Sequence, residues 1–230
     1  MNSIIIPFFN RFDLTHKRLA ELYQFAPESC EVVLVNDAST DLVDSQVGWW
    51  KQNARHTIRY RKNKVNLGFG GAHNAGSKVA RGDILIFLSN DVNIYGDFIT
   101  PIQEAIEVNN NVLVGARMID FNSGWNTAVM NDGQSHTFPY LEGWLVACHR
   151  DIFIQLGGWD DRYKIDYEDM DLSTTAKYLG FGLVQLNLPV EHKHLGSTIE
   201  TVYRNRLEMT NLSKAMFFAK WNKILFENEL

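Results

Sequence analysis

The chain has 230 residues, of which 45% are hydrophobic and 21% are charged, a balance that provides material for one globular domain. Its 22 Lys and Arg residues against 27 Asp and Glu residues give a net charge of −5, which disfavours general binding to nucleic acids. The N-terminus has no basic segment, and no apolar run is long enough to cross a bilayer, so we expect a cytoplasmic protein. Peripheral contact with the inner membrane face is compatible with this location.

The first half of the sequence alternates between strand-like and helix-like segments. Asp13 is the expected N-cap of the first helix. Apolar runs predict strands over 3–6, 31–35, 58–61 and 83–88, and apolar residues at helical spacing predict helices over 13–25, 43–50 and 72–80. This alternation indicates an α/β fold with a mostly parallel sheet and helices on both faces. In such sheets, ligands bind beyond the carboxyl ends of the strands.

The second half of the sequence is less regular. Strands are predicted over 112–118 and 183–186, and helices over 150–156 and 168–179. Residues 120–139 are expected to form a loop or a hairpin near an acceptor. Residues 200–226 predict a long helix, whose apolar side chains suit the core, a homodimer contact or a membrane surface.

A glycine-rich loop, 66–71, precedes the third predicted helix. Its glycines allow a ligand to approach the backbone, and the helix that follows offers amide groups to an anion; a tight turn between strand and helix is the alternative. A dinucleotide-binding motif is excluded, because the pattern G-x-G-x-x-G from Gly68 has His73 where glycine is required.

Acidic and histidine residues supply two further candidate groups. Asp91 directly follows an apolar strand, where its carboxylate suits Mg²⁺ or Mn²⁺ or serves as a turn residue. His192 and His194 have strand spacing, so both side chains would reach one ligand, unless they are exposed loop residues. Six acidic residues crowd together near a helix start: Asp160, Asp161, Asp166, Glu168, Asp169 and Asp171. Any one of them would offset the helix dipole, but this does not explain the crowding, because like charges repel; a buried carboxylate near them would suit a general base.

Taken together and in this order, the segments from about Ser3 to Lys220 resemble glycosyltransferase family 2. The resemblance implies the GT-A fold, in which a mostly parallel, Rossmann-like nucleotide-binding sheet is joined to an irregular acceptor-side half. It implies one domain, with residues 1–118 binding the nucleotide sugar, 119–199 binding the acceptor and 200–230 forming a C-terminal helix.

The resemblance also implies nucleotide-binding residues. Phe9 stands where the family usually has Tyr, and Asp37 would accept a hydrogen bond from the imide N–H of uracil or thymine. The loop 66–76 resembles the segment over the ribose and diphosphate, and 203–206 resembles a basic segment near the diphosphate. The expected nucleotide contacts are Pro7, Phe8, Phe9, Asn10, Asp37, Asn66, Gly68, Gly71, Asn74, Asn90, Arg204 and Arg206.

The implied metal and catalytic residues follow from the later motifs. Residues 88–92 resemble the metal-binding DxD motif, with Ser89 replacing the first Asp and Asp91 retained for Mn²⁺ or Mg²⁺. Residues 192–197 resemble the segment that supplies a histidine to the metal or diphosphate, and either His192 or His194 fills that role. Residues 157–161 and 167–172 resemble the acceptor-side signature, in which Asp169 is the general base beside Glu168. The expected acceptor-side residues are Trp144, Trp159 and Asp160.

The function implied by this resemblance is inverting transfer of a sugar from a UDP- or dTDP-sugar to an acceptor hydroxyl. A glycan or lipid-linked acceptor in bacterial surface glycan synthesis is the family-level expectation, and protein or modified phage DNA is the alternative. Two other classes are compatible with a nucleotide-binding α/β sheet. A nucleotidyltransferase would release pyrophosphate, and a binding module with a degenerate site would account for Ser89.

Overall fold

The computed structural model of the chain describes residues 1–120, 139–193 and 206–226. The elements within these ranges follow one another in the order β1 (Asn2–Phe8), α1 (Phe12–Phe25), β2 (Cys30–Asn36), α2 (Asp44–Asn53), β3 (Thr57–Lys62), α3 (Gly68–Ser77), β4 (Ile84–Leu88), β5 (Val92–Ile94), α4 (Ile99–Val108), β6 (Val112–Gly115), β7 (Met118–Asp120), β8 (Pro139–Leu141), β9 (Leu145–His149), α5 (Arg150–Gln155), α6 (Glu168–Tyr178), β10 (Gly182–Gln185), β11 (Val190–His192) and α7 (Arg206–Phe226).

Seven of these strands form one sheet in the order β10-β6-β9-β4-β1-β2-β3. Neighbouring strands are parallel except β9, which runs antiparallel to both β4 and β6. Two antiparallel ribbons, β5–β11 and β7–β8, complete the described strands. The mostly parallel sheet confirms the predicted fold class, and the reversal of β9 adds a feature that the sequence did not indicate.

Alternate residues of the central strands build two apolar layers. Ile4 and Ile6 of β1 belong to one core with α1, α2 and α4, whereas Ile5 belongs to a second core with α3, α5 and α6. Because successive side chains of a strand point to opposite faces, an unbroken apolar run buries both faces of the sheet. Helices therefore cover both faces, as expected.

Several boundaries differ from the predictions. Strand β1 continues through Pro7. Its pairing with β4 covers only residues 2–5, so β4 requires no hydrogen bond from residue 7, where proline has no N–H. Asp13 does not cap α1: Arg11 occupies the N-cap position, and Asp13 pairs with its guanidinium. The strand predicted over 112–118 is divided between β6 and β7. Strand β5 and helix α4 were not predicted, and 200–205 lie outside the described residues.

Helix α7 packs on the second half of the chain through an aromatic cluster. The rings of Phe217 and Trp221 are buried against Tyr163, Tyr167 and Met170. One side of the predicted terminal helix is therefore part of the core. Among the described helices, none combines the length and the apolar character required to traverse a bilayer.

Gly76 marks the point where α3 touches the sheet, and we expect Gly76→Ala to lower the free energy of unfolding by about 1–3 kcal/mol. A Cβ atom here would clash with the Ile5 side chain and lie 2.9 Å from Cγ2 of Val35. The matched control is Gly48→Ala in α2, where a Cβ meets no described atom within 4 Å. That change should stabilise the helix by about 0.5–1 kcal/mol. Chemical denaturation measures both variants, and equal effects would contradict this packing.

Candidate active site

A cleft of about 370 Å³ opens at the carboxyl ends of β1, β2 and β4. Since β9 runs in the opposite direction, with Leu145 paired to Leu88, the start of β9 lies at the same edge. The cleft brings together most of the predicted site residues, namely Pro7, Phe8, Phe9, Asp37, Asn66, Gly68, Asn90, Asp91, Trp144, Glu168, Asp169, His192 and Arg206.

Asp37 lies where β2 ends and holds the start of α3. Its buried carboxylate accepts hydrogen bonds from the backbone amides of Leu67 and Gly68, all at 3.0 Å, and from Nδ2 of Asn63 at 2.8 Å. The anion expected at this helix N-terminus is thus a carboxylate of the protein. These hydrogen bonds explain why the helix begins at Gly68 rather than near residue 72.

Asp91 and His192 form one end of the cleft. Strand β11 pairs with β5 so that His192 lies opposite Val92, which places Nε2 of His192 3.3 Å from Oδ1 of Asp91. The Asp91 side chain is 6% exposed. The indole of Trp144 stacks on the His192 ring at a centroid distance of 5.4 Å and an interplanar angle of 18°. A carboxylate and an imidazole therefore face the cleft in fixed orientations.

Glu168 and Asp169 also line the cleft and lie at the start of α6. Oδ2 of Asp169 accepts a hydrogen bond from the amide of Gly143 at 3.0 Å, and Oδ1 accepts one from the amide of Met170 at 2.9 Å. Burial raises the pKa of Asp169 to about 6, an effect to which the nearby Glu142 carboxylate contributes. A carboxylate with such a pKa is suited to accept a proton near neutral pH.

Glu168 has fewer hydrogen bonds to its carboxyl group than Asp169 has. Its Oε2 atom is buried and has no hydrogen-bond partner among the described residues. Burial, and next the negative charge of Asp169, raise the pKa of Glu168 to about 8. Near neutral pH the pair therefore holds a proton, and we assign that proton to Glu168 because its carboxyl group has fewer donors around it.

We expect Glu168→Gln to raise the free energy of unfolding at pH 8 by at least about 1 kcal/mol and to change it little at pH 4. A carboxyl group with a raised folded-state pKa stabilises the fold below its unfolded pKa of about 4.3, and this contribution is lost as the pH rises through about 8. Gln keeps the shape and cannot ionise. Urea denaturation at the two pH values tests this, and an equal or larger gain at pH 4 would contradict it.

Three other members of the acidic cluster, Asp160, Asp166 and Asp171, have cationic partners. Asp160 pairs with Arg162 and lies 3.7 Å from Nζ of Lys220, which is 2.8 Å from Oδ2 of Asp171. Asp166 pairs with Arg206 at 3.2 Å. Neither Glu168 nor Asp169 takes part in a salt bridge with any residue that the structure describes. Within this cluster, Glu168 and Asp169 are thus the cleft-lining carboxyl groups without a salt bridge, whereas Asp166 lines the cleft paired with Arg206.

Five predicted site residues are described but do not line the cleft. Trp159 is a core residue whose ring packs against Phe69, His73 and Phe87, and the side chain of Asn74 exchanges two hydrogen bonds with the Trp159 backbone. Gly71 is needed for helix packing, because a Cβ there would lie 2.7 Å from that of Leu67. The other two are Asn10, which is bonded to Ser39 and Thr40, and Asp160.

Other cleft residues were not predicted. Gly143 leaves little room for a side chain, because a Cβ would lie 3.2 Å from that of Asp169. Glu142 accepts a hydrogen bond from Nε1 of Trp144 at 2.8 Å. No periodicity or spacing distinguishes such positions, although the aromatic and acidic residues before β9 are a weak signal. Phe69 and Ala72 belong to the predicted loop 66–76 and Asp166 to the acidic cluster, so the lining residues without a prediction are Tyr140, Glu142, Gly143, Lys164 and Ile165.

The charge of the cleft and its ligand set fit a divalent cation that is shared with a phosphate ligand. Basic side chains are supplied by Lys164 and Arg206, whereas carboxylates are supplied by Asp37, Asp91, Glu142, Asp166 and Asp169, with Glu168 protonated near neutral pH. This excess of negative charge would repel a diphosphate unless a divalent cation bound between the carboxylates and the phosphate oxygens. Asp91 and His192, 3.3 Å apart, would supply two ligands, and Mg²⁺ or Mn²⁺ bound there would complete its coordination with phosphate oxygens and water. His194 and Arg204 lie outside the described residues.

Comparison with known proteins identifies related sequences. The sequence profile of glycosyl transferase family 2 matches residues 3–155. N-acetylgalactosaminyltransferase 4 of Drosophila melanogaster is 25% identical over 196 residues, which cover 71% of this chain and 30% of that protein. An uncharacterized glycosyltransferase of Haemophilus influenzae is 29% identical over 112 residues, which cover 49% of this chain and 36% of that protein. The chain therefore spans about a third of the length of these relatives.

Solved structures with a similar fold cover most of the chain. A mannosyltransferase from Pyrobaculum calidifontis in complex with GDP-Man and Mn²⁺ has a TM-score of 0.69 and 18% identity, covering 96% of this chain and 64% of that one. GalNAc-T7 with UDP, GalNAc and Mn²⁺ has a TM-score of 0.68 and 18% identity, with coverage of 84% and 43%. S. aureus TarS in complex with UDP-GlcNAc has a TM-score of 0.64 and 18% identity, with coverage of 98% and 70%. These similarities place the chain in the GT-A fold.

Proposed function

Because the chain belongs to glycosyltransferase family 2, we propose that it transfers a sugar from a nucleoside-diphosphate sugar to an acceptor hydroxyl with inversion at the anomeric carbon. The observation that carries this proposal is that Asp91 with His192 and Glu168 with Asp169 line one cleft. In the proposed division, residues 1–118 bind the donor, 119–199 bind the acceptor and 200–230 form the C-terminal helix.

Donor binding is assigned to the strand ends. The Phe9 ring offers a face for stacking on the base, and the Asp37 carboxylate accepts the imide hydrogen bond in addition to those that hold α3. This assignment favours UDP- or dTDP-sugars. Arg206, which is placed by α7, provides a positive charge for the diphosphate. The fold relatives crystallised with UDP or UDP-GlcNAc support a nucleotide-sugar donor.

Asp91 and His192 are the described residues that would hold a divalent cation. When bound, Mn²⁺ or Mg²⁺ supplies Lewis-acid stabilisation of the negative charge on the leaving diphosphate. The Trp144 ring restrains the His192 imidazole, and the start of β5 fixes Asp91. The fold relatives with Mn²⁺ support this cofactor class.

Asp169 acts as the general base in the proposed reaction. It accepts the proton of the acceptor hydroxyl as that oxygen forms a bond to the anomeric carbon and the bond from this carbon to the diphosphate oxygen breaks. Attack from the face opposite the nucleotide gives inversion. The amides of Gly143 and Met170 hold the carboxylate, and Glu168 in its protonated form adds no second negative charge beside it.

The proposed acceptor is based on the family to which the chain belongs, because no contact in the cleft identifies an acceptor. We propose a glycan or lipid-linked acceptor of bacterial surface glycan synthesis, reached at the inner face of the cytoplasmic membrane. Protein and modified phage DNA are the alternative acceptors, and nucleic acid is disfavoured by the net charge of −5.

The experiment that tests the proposed function is a thermal-shift screen of UDP-, dTDP- and GDP-sugars with and without Mn²⁺, followed by product analysis. A donor should raise the melting temperature only with Mn²⁺ and should release a nucleoside diphosphate on turnover. Release of pyrophosphate from a nucleoside triphosphate would instead indicate a nucleotidyltransferase. Donor binding without transfer or hydrolysis would indicate a degenerate binding module.

A further inference from the structure

The turn that leads into α6 has a strained backbone. Asp166 and Tyr167, neither of them glycine, have φ angles of 55° and 72°, and the next two residues are Glu168 and Asp169. Residues other than glycine adopt this left-handed conformation only where surrounding contacts hold them. The direction in which the first residues of α6 enter the cleft therefore depends on what holds residues 165–167.

The contacts on this turn come largely from α7. Oγ1 of Thr210 donates a hydrogen bond to Oδ2 of Asp166 at 2.7 Å, and Oγ of Ser213 donates one to the carbonyl oxygen of Ile165 at 2.7 Å. Arg206 pairs with the other oxygen of Asp166, and the ring of Phe217 packs on that of Tyr167 at 5.6 Å. Four residues on one helix thus contact three successive residues of the turn.

Helix α7 is anchored independently of the turn. The Asp171 side chain, which is 4% exposed, accepts hydrogen bonds from Nε1 of Trp221 at 2.7 Å and from Nζ of Lys220 at 2.8 Å. The hydroxyl of Tyr163 adds a longer contact of 3.3 Å. Because these groups lie more than two helical turns beyond Thr210, they hold α7 in place when its contacts with the turn are removed.

We propose that α7 clamps the turn 165–167 and that Thr210 and Ser213 are positioning residues that keep Asp169 directed at the acceptor. This inference rests on the proposed role of Asp169 as general base. Phe9, Asp37 and Asp91 are supplied by other elements, and Arg206 is kept when only the hydroxyl groups of Thr210 and Ser213 are removed. Loss of these two hydroxyl groups should therefore impair proton acceptance and leave donor binding intact.

The first test is the double variant Thr210→Val/Ser213→Ala, which removes both hydroxyl groups and keeps Arg206, Phe217 and the Asp171 anchor. We expect kcat to fall by about 10- to 100-fold, as small misplacements of catalytic groups do, while the Kd of the donor with Mn²⁺ changes by less than about twofold. Thr210→Ser retains the hydroxyl and should retain kcat. Ser77→Ala, which removes a buried hydroxyl bonded to a backbone carbonyl in α3, is the matched control. A double variant with the parent kcat would overturn the proposal.

The second test does not depend on turnover. Hydrogen exchange of the amides of residues 166–170 should be faster by about tenfold or more in the double variant and unchanged in Ser77→Ala. Thr210→Val alone gives the same comparison if the double variant does not fold. Unchanged exchange in this segment would overturn the clamp even in an active enzyme. A parent protein without turnover but with the expected exchange pattern would refute the proposed function and leave the clamp supported.

Discussion

Asp169→Asn is expected to lower the rate of sugar transfer by about 10²- to 10⁴-fold, the usual contribution of a general base. Asn keeps the size of the side chain and cannot accept a proton from the acceptor hydroxyl. Its carbonyl oxygen can still accept one of the two amide hydrogen bonds, from Gly143 or from Met170, so the fold should persist. Initial rates of nucleoside-diphosphate release measure kcat, and calorimetry measures the Kd of the donor with Mn²⁺.

The matched control for this variant is Asp161→Asn, which makes the same chemical change at an exposed position of the same acidic cluster. Its kcat should equal that of the parent within about twofold. An Asp169→Asn variant whose kcat lies within tenfold of the parent value would contradict the assignment of the base, and so would an equal loss in Asp161→Asn.

The pH dependence of the parent enzyme provides a second signature of the same residue. Burial raises the pKa of Asp169 from 3.8 to about 6, and the carboxylate accepts a proton only above that pKa. The value of kcat/KM, which reports the free enzyme, should therefore rise with pH through about 6 and then level off. Asp169→Asn should lack this acid limb. If the acid limb persists in Asp169→Asn, it arises from the titration of another group.

Asp91→Ala is expected to weaken Mn²⁺-dependent donor binding by at least about 10- to 100-fold, since even residues behind a metal ligand contribute that much. The cleft has more carboxylates than basic groups, so a diphosphate binds poorly unless a cation offsets its charge. Calorimetric titration of UDP into the protein with and without Mn²⁺ separates the metal-dependent part of the affinity.

The control for Asp91→Ala is Asp151→Ala, which removes an exposed carboxylate paired with His149 outside the cleft. It should bind UDP and Mn²⁺ as the parent does. In EDTA the Asp91 variant and the parent should bind UDP with similar, weak affinity. An unchanged Mn²⁺ titration in Asp91→Ala would remove Asp91 from the metal site.

The donor side of the cleft was predictable because its residues follow unbroken apolar strands. Asp37 comes directly after the fully buried strand β2, Asp91 follows the fully buried strand β4 after Ser89 and Asn90, and parallel strands bring such positions to one edge. Trp144 and Glu142 depend on the reversal of β9, which no local pattern indicates. Trp144 was expected in the site only from the resemblance, and Glu142 was not expected there; the pairing of β9 with β4 explains why both lie in the cleft.

The wrong assignments have identifiable physical causes. An aromatic residue after two glycines has the same sequence signal whether it faces a ligand or the core, and Trp159 faces the core. Helix α4 contains Pro101, which breaks helical patterns, but its position in the first turn requires no N–H donor. Strand β5 has only three residues, too few to show a period.

The most direct test of the central claim is a crystal structure of the protein with Mn²⁺ and a nucleotide sugar that it turns over. We expect a cation coordinated by Asp91, His192 and the diphosphate, and the Asp169 carboxylate on the opposite side of the anomeric carbon. A sugar bound with its anomeric carbon turned away from Asp169, or a cation bound at residues other than Asp91, would contradict it.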